Sequence, residues 1–262
     1  MENVMDMFKL DGKVALVTGG SGNYGRQMVI ALAQAGATVY SASRNLEKNE
    51  EFASNLRKEG YSVFAEAYDQ GDEISILAMR GRLAAKHRQV DILVNNSVLR
   101  PDGSFDGEAS YFDLSMHVNA TGLFLITRAF GNLMAENGSG SIINIGSYMG
   151  DLSADDFLYE DLPEMDAFQA PDYFFHKGGM HNLTRLVAGY YGPKGVRCNC
   201  LSLGGFFNHQ DPRFLKRYCA KTFLKRMAND TDIMGIIVYL ASDASLYTTG
   251  TVIPVDGGYS AK

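Results

Sequence analysis

The chain has 262 residues, of which 46% are hydrophobic and 21% charged, and its formal net charge at pH 7 is −6. This composition suffices for one substantial core, and its acidic balance argues against a nucleic-acid partner. No apolar run approaches the ~18 residues of a membrane span, and no basic region followed by an apolar stretch marks a secretory signal, so we expect a cytoplasmic protein without a membrane partner.

Short β-rich runs alternate with helical stretches along the whole chain. Strands are predicted at residues 13–19, 38–43, 62–69, 91–96, 140–147, 196–203 and 251–258, and helices at about 23–37, 46–60, 72–88, 110–136 and 173–192, with two more helical stretches before the last strand. Strands that are apolar throughout and separated by helices indicate a parallel sheet covered on both faces. The predicted fold is therefore α/β, a doubly wound Rossmann fold with seven parallel strands. No linker or repeat divides it, so residues 1–262 are predicted to form a single domain.

Glycines follow the first predicted strand, where residues 18–26 read TGGSGNYGR. In doubly wound sheets, ligands bind beyond the carboxyl ends of the strands. A glycine-rich turn between strand and helix lets backbone amides approach a pyrophosphate at the positive end of the helix. The predicted cofactor contacts in this turn are Gly19, Ser21, Asn23, Tyr24 and Gly25. An ordinary glycine-rich turn is the alternative.

The second predicted strand ends at SASRN, residues 41–45. A site that prefers NAD usually places Asp or Glu here to bind the ribose hydroxyls. Residues 40–45 contain no carboxylate, and the guanidinium of Arg44 suits a 2′-phosphate. We therefore predict NADP as cofactor, with NAD possible, while a solvated loop arginine is the alternative for Arg44.

A tyrosine and a lysine stand four positions apart in the predicted helix that follows the strand ending at Ser147. If the segment is helical, Tyr173 and Lys177 share one face. A cation ~4 Å from a phenol, at an effective dielectric of ~20, stabilises the phenolate by roughly 4 kcal/mol. Desolvation opposes this effect. Such a phenol could serve as a general acid or base, whereas a packed tyrosine with a solvated lysine is the alternative.

Taken in order, these segments resemble the short-chain dehydrogenase/reductase family over essentially the full chain. The matching segments are TGGSGNYG, Asp69, NNSV, Asn119 in HVNATG, Ser147 in NIGS, YFFHK, NCLSLGG and VDGG. The run from residue 177 to 208 is similar to the sugar and sugar-acid branch, typified by gluconate 5-dehydrogenase-like proteins. The resemblance implies an NAD(P)-dependent oxidoreductase that interconverts a secondary alcohol and a ketone on a sugar, polyol or sugar acid. It also implies a homodimer or homotetramer.

The resemblance assigns a catalytic tetrad of Asn119, Ser147, Tyr173 and Lys177. Tyr173 would exchange the proton of the substrate hydroxyl, Ser147 would hydrogen-bond the substrate oxygen, and Lys177 would hold the nicotinamide ribose. Asn119 would position a water that links Lys177 to solvent. Further predicted cofactor contacts are Asp69, Gln70, Asn95, Tyr173, Lys177, Gly205, Phe206 and Asn208, and predicted substrate contacts are Ser147, Tyr173, Tyr148, Arg100 and His209.

Asn23, Ser97 and Leu203 depart from the family pattern at the cofactor turn, in NNSV and after the sixth strand. They leave open an alternative function, a non-catalytic protein that senses or binds a nucleotide on the same fold. A longer departure is the acidic insert, residues 151–170, which contains seven Asp or Glu residues and no Lys or Arg. It is either a solvated loop with aromatic anchors or a wall of the substrate pocket. An acidic wall would favour polyols or neutral sugars over sugar acids, and this conflict stays open.

The chain has three cysteines, Cys198, Cys200 and Cys219, which cannot all pair with one another. This sparse, odd set favours a reducing compartment. The five histidines show no paired ligand spacing, so no metal site is predicted.

Overall fold

The computed structural model describes residues 3–101, 103–162 and 170–261. Within them, one sheet contains seven strands in the order β3-β2-β1-β4-β5-β6-β7. All neighbouring strands pair in parallel. The strands are β1 (Val14–Thr18), β2 (Thr38–Ser43), β3 (Val63–Ala67), β4 (Ile92–Asn95), β5 (Gly140–Ser147), β6 (Val196–Leu203) and β7 (Val252–Val255). The predicted fold class is thereby confirmed.

Helices cover both faces of the sheet. They are α1 (Asn23–Gln34), α2 (Leu46–Lys58), α3 (Glu73–Lys86), α4 (Ala109–Met116), α5 (Gly122–Asn137), α6 (Pro171–Tyr191), α7 (Pro212–Lys221) and α8 (Met234–Ala241). Alternate residues of β1 belong to two hydrophobic cores, one on each face of the sheet. Ala15 and Val17 pack with α1 and α8, whereas Leu16 packs with α3, α5 and α6. Because both faces are buried, the strand must be apolar at every position. Among the described helices, none is both long enough and apolar enough to span a membrane.

Several predicted boundaries differ from the observed elements. The helix predicted at 110–136 is interrupted by a π-helical turn, His117–Thr121, between α4 and α5. The last strand stops at Val255, because Gly257 and Gly258 adopt positive φ angles of 66° and 80° and turn the chain. Helix α6 begins at Pro171, two residues earlier than predicted, with the proline in its first turn.

The strand order reverses beside β1, which pairs with β2 on one side and with β4 on the other. At such a reversal the connections leave to opposite faces, and a crevice opens beyond the strand ends. The loops after β1, β4, β5 and β6 meet at this crevice, and it contains the main cavity of the described part of the protein.

Candidate active site

A cavity of about 850 Å³ lies at the carboxyl ends of the strands. It brings together most of the residues that the sequence assigned to cofactor or substrate: Gly19, Asn23, Tyr24, Gly25, Arg44, Asp69, Gln70, Arg100, Ser147, Tyr148, Tyr173, Lys177, Gly205, Phe206 and Asn208. Four other assigned residues do not line it, namely Ser21, Asn95, Asn119 and His209. The residues that line the cavity come from distant parts of the chain, including the glycine-rich turn, α6 and the segment after β6.

The glycine-rich turn leaves no room for side chains where a cofactor backbone would pass. A Cβ on Gly25 would lie 2.1 Å from the carbonyl oxygen of Gly19, and Gly19 itself has a φ of +63°. A Cβ on Gly20 would lie 2.3 Å from Oγ of Ser41. Asn23 is the first residue of α1, so the positive end of that helix faces the cavity. These features fit a dinucleotide pyrophosphate.

Arg44 is exposed at the end of β2 and lines the cavity next to Ser43. The side chain of the neighbouring Asn45 caps α2, because its Oδ1 accepts a hydrogen bond from the backbone N–H of Lys48 at 2.9 Å. The carboxylate of Glu66, on the adjacent strand β3, forms ion pairs with Arg82 and Lys86. The guanidinium of Arg44 therefore stands at the end of β2, where residues 40–45 contain no carboxylate to repel a ribose phosphate.

Asn95, predicted to contact the cofactor, has its side chain away from the cavity, and that contact stays a prediction. Its side chain is buried inside the sheet, where Nδ2 donates to Oγ1 of Thr127 at 3.1 Å and to Oδ1 of Asn144 at 2.9 Å. The next residue, Asn96, lines the cavity instead, and its Nδ2 donates to the carbonyl oxygens of Thr18 and Gly19. Side chains alternate across a strand, so a shift of one residue exchanges core and cavity.

Tyr173 and Lys177 meet Ser147 where β5 ends against α6. The ammonium Nζ of Lys177 lies 5.5 Å from the ring centroid of Tyr173 and donates to the carbonyl oxygen of Ile145 at 2.6 Å. Lys177 is buried, and burial lowers the pKa of its ammonium, although the phenol of Tyr173 acts in the opposite direction. The positive charge of a buried lysine favours the ionised form of a phenol beside it.

The pKa of Tyr173 lies below the ordinary value of 10.0. Burial by itself would raise this pKa, but the positive charges of Lys177 and Arg100 and hydrogen bonding from Ser147 and Arg100 outweigh it. Burial raises the pKa of each of the other tyrosines described on the cavity lining, namely Tyr24, Tyr68, Tyr148, Tyr159 and Tyr218. The site therefore selects one phenol for ionisation.

Arg100 makes a contact that the sequence did not reveal. Its guanidinium carbon lies 4.5 Å from the centroid of the Tyr173 ring, so the arginine covers the face of the predicted base. The assignment of Arg100 to the substrate placed it in the cavity but gave no reason to expect this stacking, which joins segments more than 70 residues apart in the chain.

Asn119 holds protein groups with its side chain. It is buried in the π-helical turn, where its Oδ1 accepts from the backbone N–H of Leu99 at 2.8 Å. Its Nδ2 donates to the carbonyl oxygen of Leu99 at 2.7 Å and to Oγ of Ser115 at 2.9 Å. Ser115 in turn donates to the buried carboxylate of Asp172. The amide thus fixes the loop before Arg100, and its role in water positioning stays a prediction.

In the described part of the acidic insert, two carboxylates pair with α7 and one with α6. Asp155 pairs with Lys221, and Asp161 lies 3.6 Å from Arg217. Asp151 lies 3.1 Å from Nδ1 of His181. None of the insert's acidic residues in this part lines the cavity, whereas Tyr159 does. Both sequence interpretations are therefore partly met here, while Glu164, Asp166 and Phe168 lie outside the described residues.

Part of an aromatic cluster beside Ser147 forms an aromatic wall of the cavity, through Tyr148, Phe214 and Tyr218, while Tyr259 packs behind them. The sequence did not reveal most of this cluster. The ring centroids of Tyr148 and Tyr259 are 4.6 Å apart, and those of Tyr218 and Tyr259 are 5.0 Å apart. Tyr218 also accepts from the backbone N–H of Gly205 at 2.6 Å. The one sequence signal for this cluster is the spacing of Phe214 and Tyr218, four residues apart on α7, which places both side chains on the same face of the helix. Both residues line the cavity.

Two residues named in the sequence analysis lie away from the cavity. His209 is exposed and packs its ring 5.2 Å from that of Phe207, because a φ of +55° at His209 turns the chain outward. Its contact with substrate stays a prediction. Ser21 sits within the glycine-rich turn but contributes nothing to the cavity lining. Among the described residues, no group of three or more potential ligands is placed to hold a metal ion.

Comparison with known proteins identifies the family. A family model described as enoyl-(acyl carrier protein) reductase matches residues 22–260. A D-threitol dehydrogenase of Mycolicibacterium smegmatis is 31% identical, with 97% of this chain and 95% of the relative covered. A 7alpha-hydroxysteroid dehydrogenase of Paraclostridium sordellii is also 31% identical, with coverages of 97% and 94%.

Among solved structures, a gluconate 5-dehydrogenase from Burkholderia cenocepacia J2315, crystallised with NADP and tartrate, superposes with a TM-score of 0.89 at 28% identity. It covers 99% of this chain and 100% of that one. The sequence match, the sheet order and the arrangement around Tyr173 all agree. The chain belongs to the short-chain dehydrogenase/reductase family of NAD(P)-dependent oxidoreductases.

Proposed function

We propose that the protein interconverts a secondary alcohol and a ketone on a sugar, polyol or sugar acid, with NADP as the preferred cofactor and Tyr173 as general acid and base. The observation that carries this proposal is the placement of the Tyr173 ring in the cavity, beside Ser147 and the cations of Lys177 and Arg100, which lower the pKa of its phenol. A phenol that ionises closer to neutral pH than free tyrosine is suited to proton exchange with a hydroxyl group.

In the oxidative direction, the phenolate of Tyr173 accepts the proton from the substrate hydroxyl. Ser147 lies beside this phenol and would hydrogen-bond the substrate oxygen as it becomes a carbonyl. The nearby ammonium of Lys177 stabilises the phenolate before the proton arrives. The bound nicotinamide supplies hydride chemistry, and the protein contributes orientation and electrostatics. In the reductive direction Tyr173 donates the proton.

Arg44 supports NADP over NAD. It is the charged residue at the end of β2 that lines the cavity, and no carboxylate stands in residues 40–45 to repel a 2′-phosphate. The related gluconate 5-dehydrogenase from Burkholderia cenocepacia was crystallised with NADP. Loss of the arginine should therefore weaken NADP binding more than NAD binding.

The substrate class is supported by relatives and by the shape of the cavity. D-threitol dehydrogenase and gluconate 5-dehydrogenase act on a polyol and a sugar acid respectively, as their names state. The acidic insert, where described, pairs with α7, so it does not oppose an anionic substrate. The aromatic wall that Tyr148, Phe214 and Tyr218 present to the cavity also suits a larger apolar ring, and the hydroxysteroid relative makes a steroid alcohol the second candidate.

The test is a substrate panel scored by nicotinamide absorbance with NADP and NAD. It should contain tetritols, hexitols, aldonates, the matching ketones and a hydroxysteroid. We expect turnover with at least one polyol or sugar acid, and a loss of at least ~100-fold in kcat in Tyr173→Phe. Turnover of the steroid alone would replace the sugar assignment with the second candidate.

The alternative function, a non-catalytic protein that binds a nucleotide, is tested by measuring cofactor binding independently, by calorimetry. If NADP binds tightly while no compound in the panel is oxidised or reduced, the enzymatic proposal fails and the sensor remains. The homodimer or homotetramer and the cytoplasmic location stay predictions.

A further inference from the structure

We propose that Arg100 acts through Tyr173, as a positioning residue whose guanidinium shares with Lys177 the electrostatic activation of the phenol. This inference rests on the proposed role of Tyr173. Its first observation is geometric: the guanidinium carbon of Arg100 lies 4.5 Å from the ring centroid of Tyr173, and the ammonium of Lys177 lies 5.5 Å from the same point. Two cations therefore act on one ring from comparable distances.

The loop that carries Arg100 is fixed by the preceding residue. Both backbone groups of Leu99 are held by the side chain of Asn119, at 2.8 Å for the N–H and 2.7 Å for the carbonyl. Asn119 is itself connected through Ser115 to Asp172, the residue next to Tyr173 on α6. The same network thus anchors the loop of the arginine and the helix turn of the tyrosine, so their relative placement does not depend on the contact between them.

The charge of Arg100 is available to the phenol. No carboxylate in residues 3–101, 103–162 and 170–261 lies within ion-pair distance of its guanidinium. A cation over a neutral aromatic face is attracted by the ring quadrupole, and it is attracted more strongly once the ring carries a negative charge. The contact therefore favours the ionised form of Tyr173.

The two cations differ in a way that gives Arg100 a distinct role. Burial lowers the pKa of the Lys177 ammonium, and the positive charge of Arg100 lowers it further. A guanidinium, by contrast, stays protonated across the whole range in which enzymes operate. Arg100 consequently supplies a charge that does not titrate, at the cost of greater screening because its side chain is more exposed than that of Lys177.

The titration of Tyr173 can be distinguished from that of the other ionisable groups near it. On α6 these are Asp172, His176 and Lys177; from other elements, Arg100, Tyr24 and Tyr148 face it. Burial, with Lys177 and Arg100, lowers the pKa of His176 to about 3, and burial raises the pKa values of Tyr24 and Tyr148. A tyrosine signal below the ordinary range therefore reports Tyr173.

The experiment is a pH titration of tyrosinate ultraviolet absorbance in the wild-type protein, Tyr173→Phe, Arg100→Met, Arg100→Lys and Arg57→Met. Subtracting Tyr173→Phe isolates the midpoint of Tyr173. Arg57 is the matched control, since its guanidinium also stacks on a ring, that of Phe64 at 5.7 Å, but lies on α2 beside the edge strand β3. Circular dichroism verifies that each variant is folded.

We expect the midpoint to rise by about one pH unit in Arg100→Met, from a screened charge at this distance. Arg100→Lys should rise less, because it keeps the charge and loses the planar stacking, and Arg57→Met should match the wild type. Coincident midpoints for Arg100→Met and wild type would overturn the proposal, as would an equal rise in Arg57→Met.

Activity provides a second readout that separates this proposal from the proposed function. With any substrate found in the panel, the rising limb of kcat/KM against pH should move by the same amount as the absorbance midpoint in each variant. An absorbance shift without turnover would support the role of Arg100 as the partner of the phenol while contradicting the oxidoreductase. Turnover with an unchanged pH profile in Arg100→Met would do the reverse.

Discussion

At the scale of single residues, environment decides which of several similar side chains is reactive. Tyr24, Tyr148 and Tyr173 all line one cavity and are all largely shielded from water. The first two have raised pKa values, whereas Tyr173 has a lowered one, because only its neighbours include two cations. A Y-x-x-x-K spacing therefore indicates a base only when the fold also excludes water and supplies the charge.

Gly25 should be essential for cofactor binding. In Gly25→Ala the added methyl group would collide with the carbonyl oxygen of Gly19, at 2.1 Å, and would displace the turn that faces the pyrophosphate. We expect at least a ~10-fold loss in NADP affinity by calorimetry, the equivalent of ~1.4 kcal/mol. Gly179→Ala is the control: nothing lies within 4 Å of its added Cβ, so affinity should be unchanged and the α6 helix slightly stabilised. Equal affinities in wild type and Gly25→Ala would refute this account of the turn.

His176 should make the protein sensitive to acid. It is buried, and neither ring nitrogen has a hydrogen-bond partner among the described residues. Burial together with Lys177 and Arg100 lowers its pKa from 6.5 to about 3. The unfolded chain binds the proton between these values and the folded protein does not, so stability is complete above about 6.5 and declines as the pH falls towards 3.

Urea unfolding of wild type and His176→Leu at about pH 7 and 5 measures this effect. The wild type should lose roughly 2 kcal/mol more than the variant over that interval. His209→Asn is the control, because His209 is exposed and its φ of +55° suits asparagine. If His176→Leu loses as much stability as the wild type, another group governs acid unfolding.

At the scale of elements, the sequence contained most of the fold and the catalytic half of the site. Apolar strand runs such as VALVT in β1 are local patterns, and they located the strand ends where the cavity lies. The π-helical turn was missed because it has no helix-breaking residue, only the sequence HVNAT. The direction of the insert's carboxylates was also beyond the sequence, since their cationic partners lie on α7, about 60 residues later.

The ion pairs between the acidic insert and α7 should hold the insert against the cavity. Arg217→Met with Lys221→Met removes the partners of Asp161 and Asp155, and the same two cations also lie over the Phe157 ring. Each exposed pair contributes up to ~1 kcal/mol. We expect proteolytic cleavage within residues 151–162 to accelerate several-fold, and high salt to produce a similar change in the wild type.

Lys216→Met is the control for this prediction. Lys216 is exposed on the same helix and forms no ion pair with the described residues, so its loss changes the charge of α7 without releasing the insert. Equal cleavage rates in the double variant and Lys216→Met would show that packing of Leu158 and Leu162, rather than charge, retains the segment.

At the scale of the whole molecule, an exposed apolar face calls for a partner. Phe175, Leu186 and Tyr190 are exposed along one side of α6. The ring of Phe175 packs against that of Phe112 on α4, a helix that also exposes Leu114. Clustered apolar side chains of this kind commonly mark protein contacts. We expect the face to pair with a second copy of the chain, in agreement with the predicted homodimer or homotetramer.

Sedimentation of Leu186→Glu tests this arrangement. A buried charge at a symmetric contact occurs once in each copy, so the variant should sediment as a smaller species than the wild type. Leu46→Glu is the control, because Leu46 is also an exposed leucine but begins α2, away from this face. A wild-type monomer, or an unchanged assembly in Leu186→Glu, would place the contact elsewhere.

The distribution of the three cysteines offers a practical consequence. Cys198 and Cys200 are completely enclosed in β6, and burial raises the pKa of each thiol, whereas Cys219 is half-buried on α7. A maleimide fluorophore should accordingly label the natural sequence at a single position. That dye would sit on the helix that borders the aromatic wall, and its emission would report ligand entry without engineered mutations.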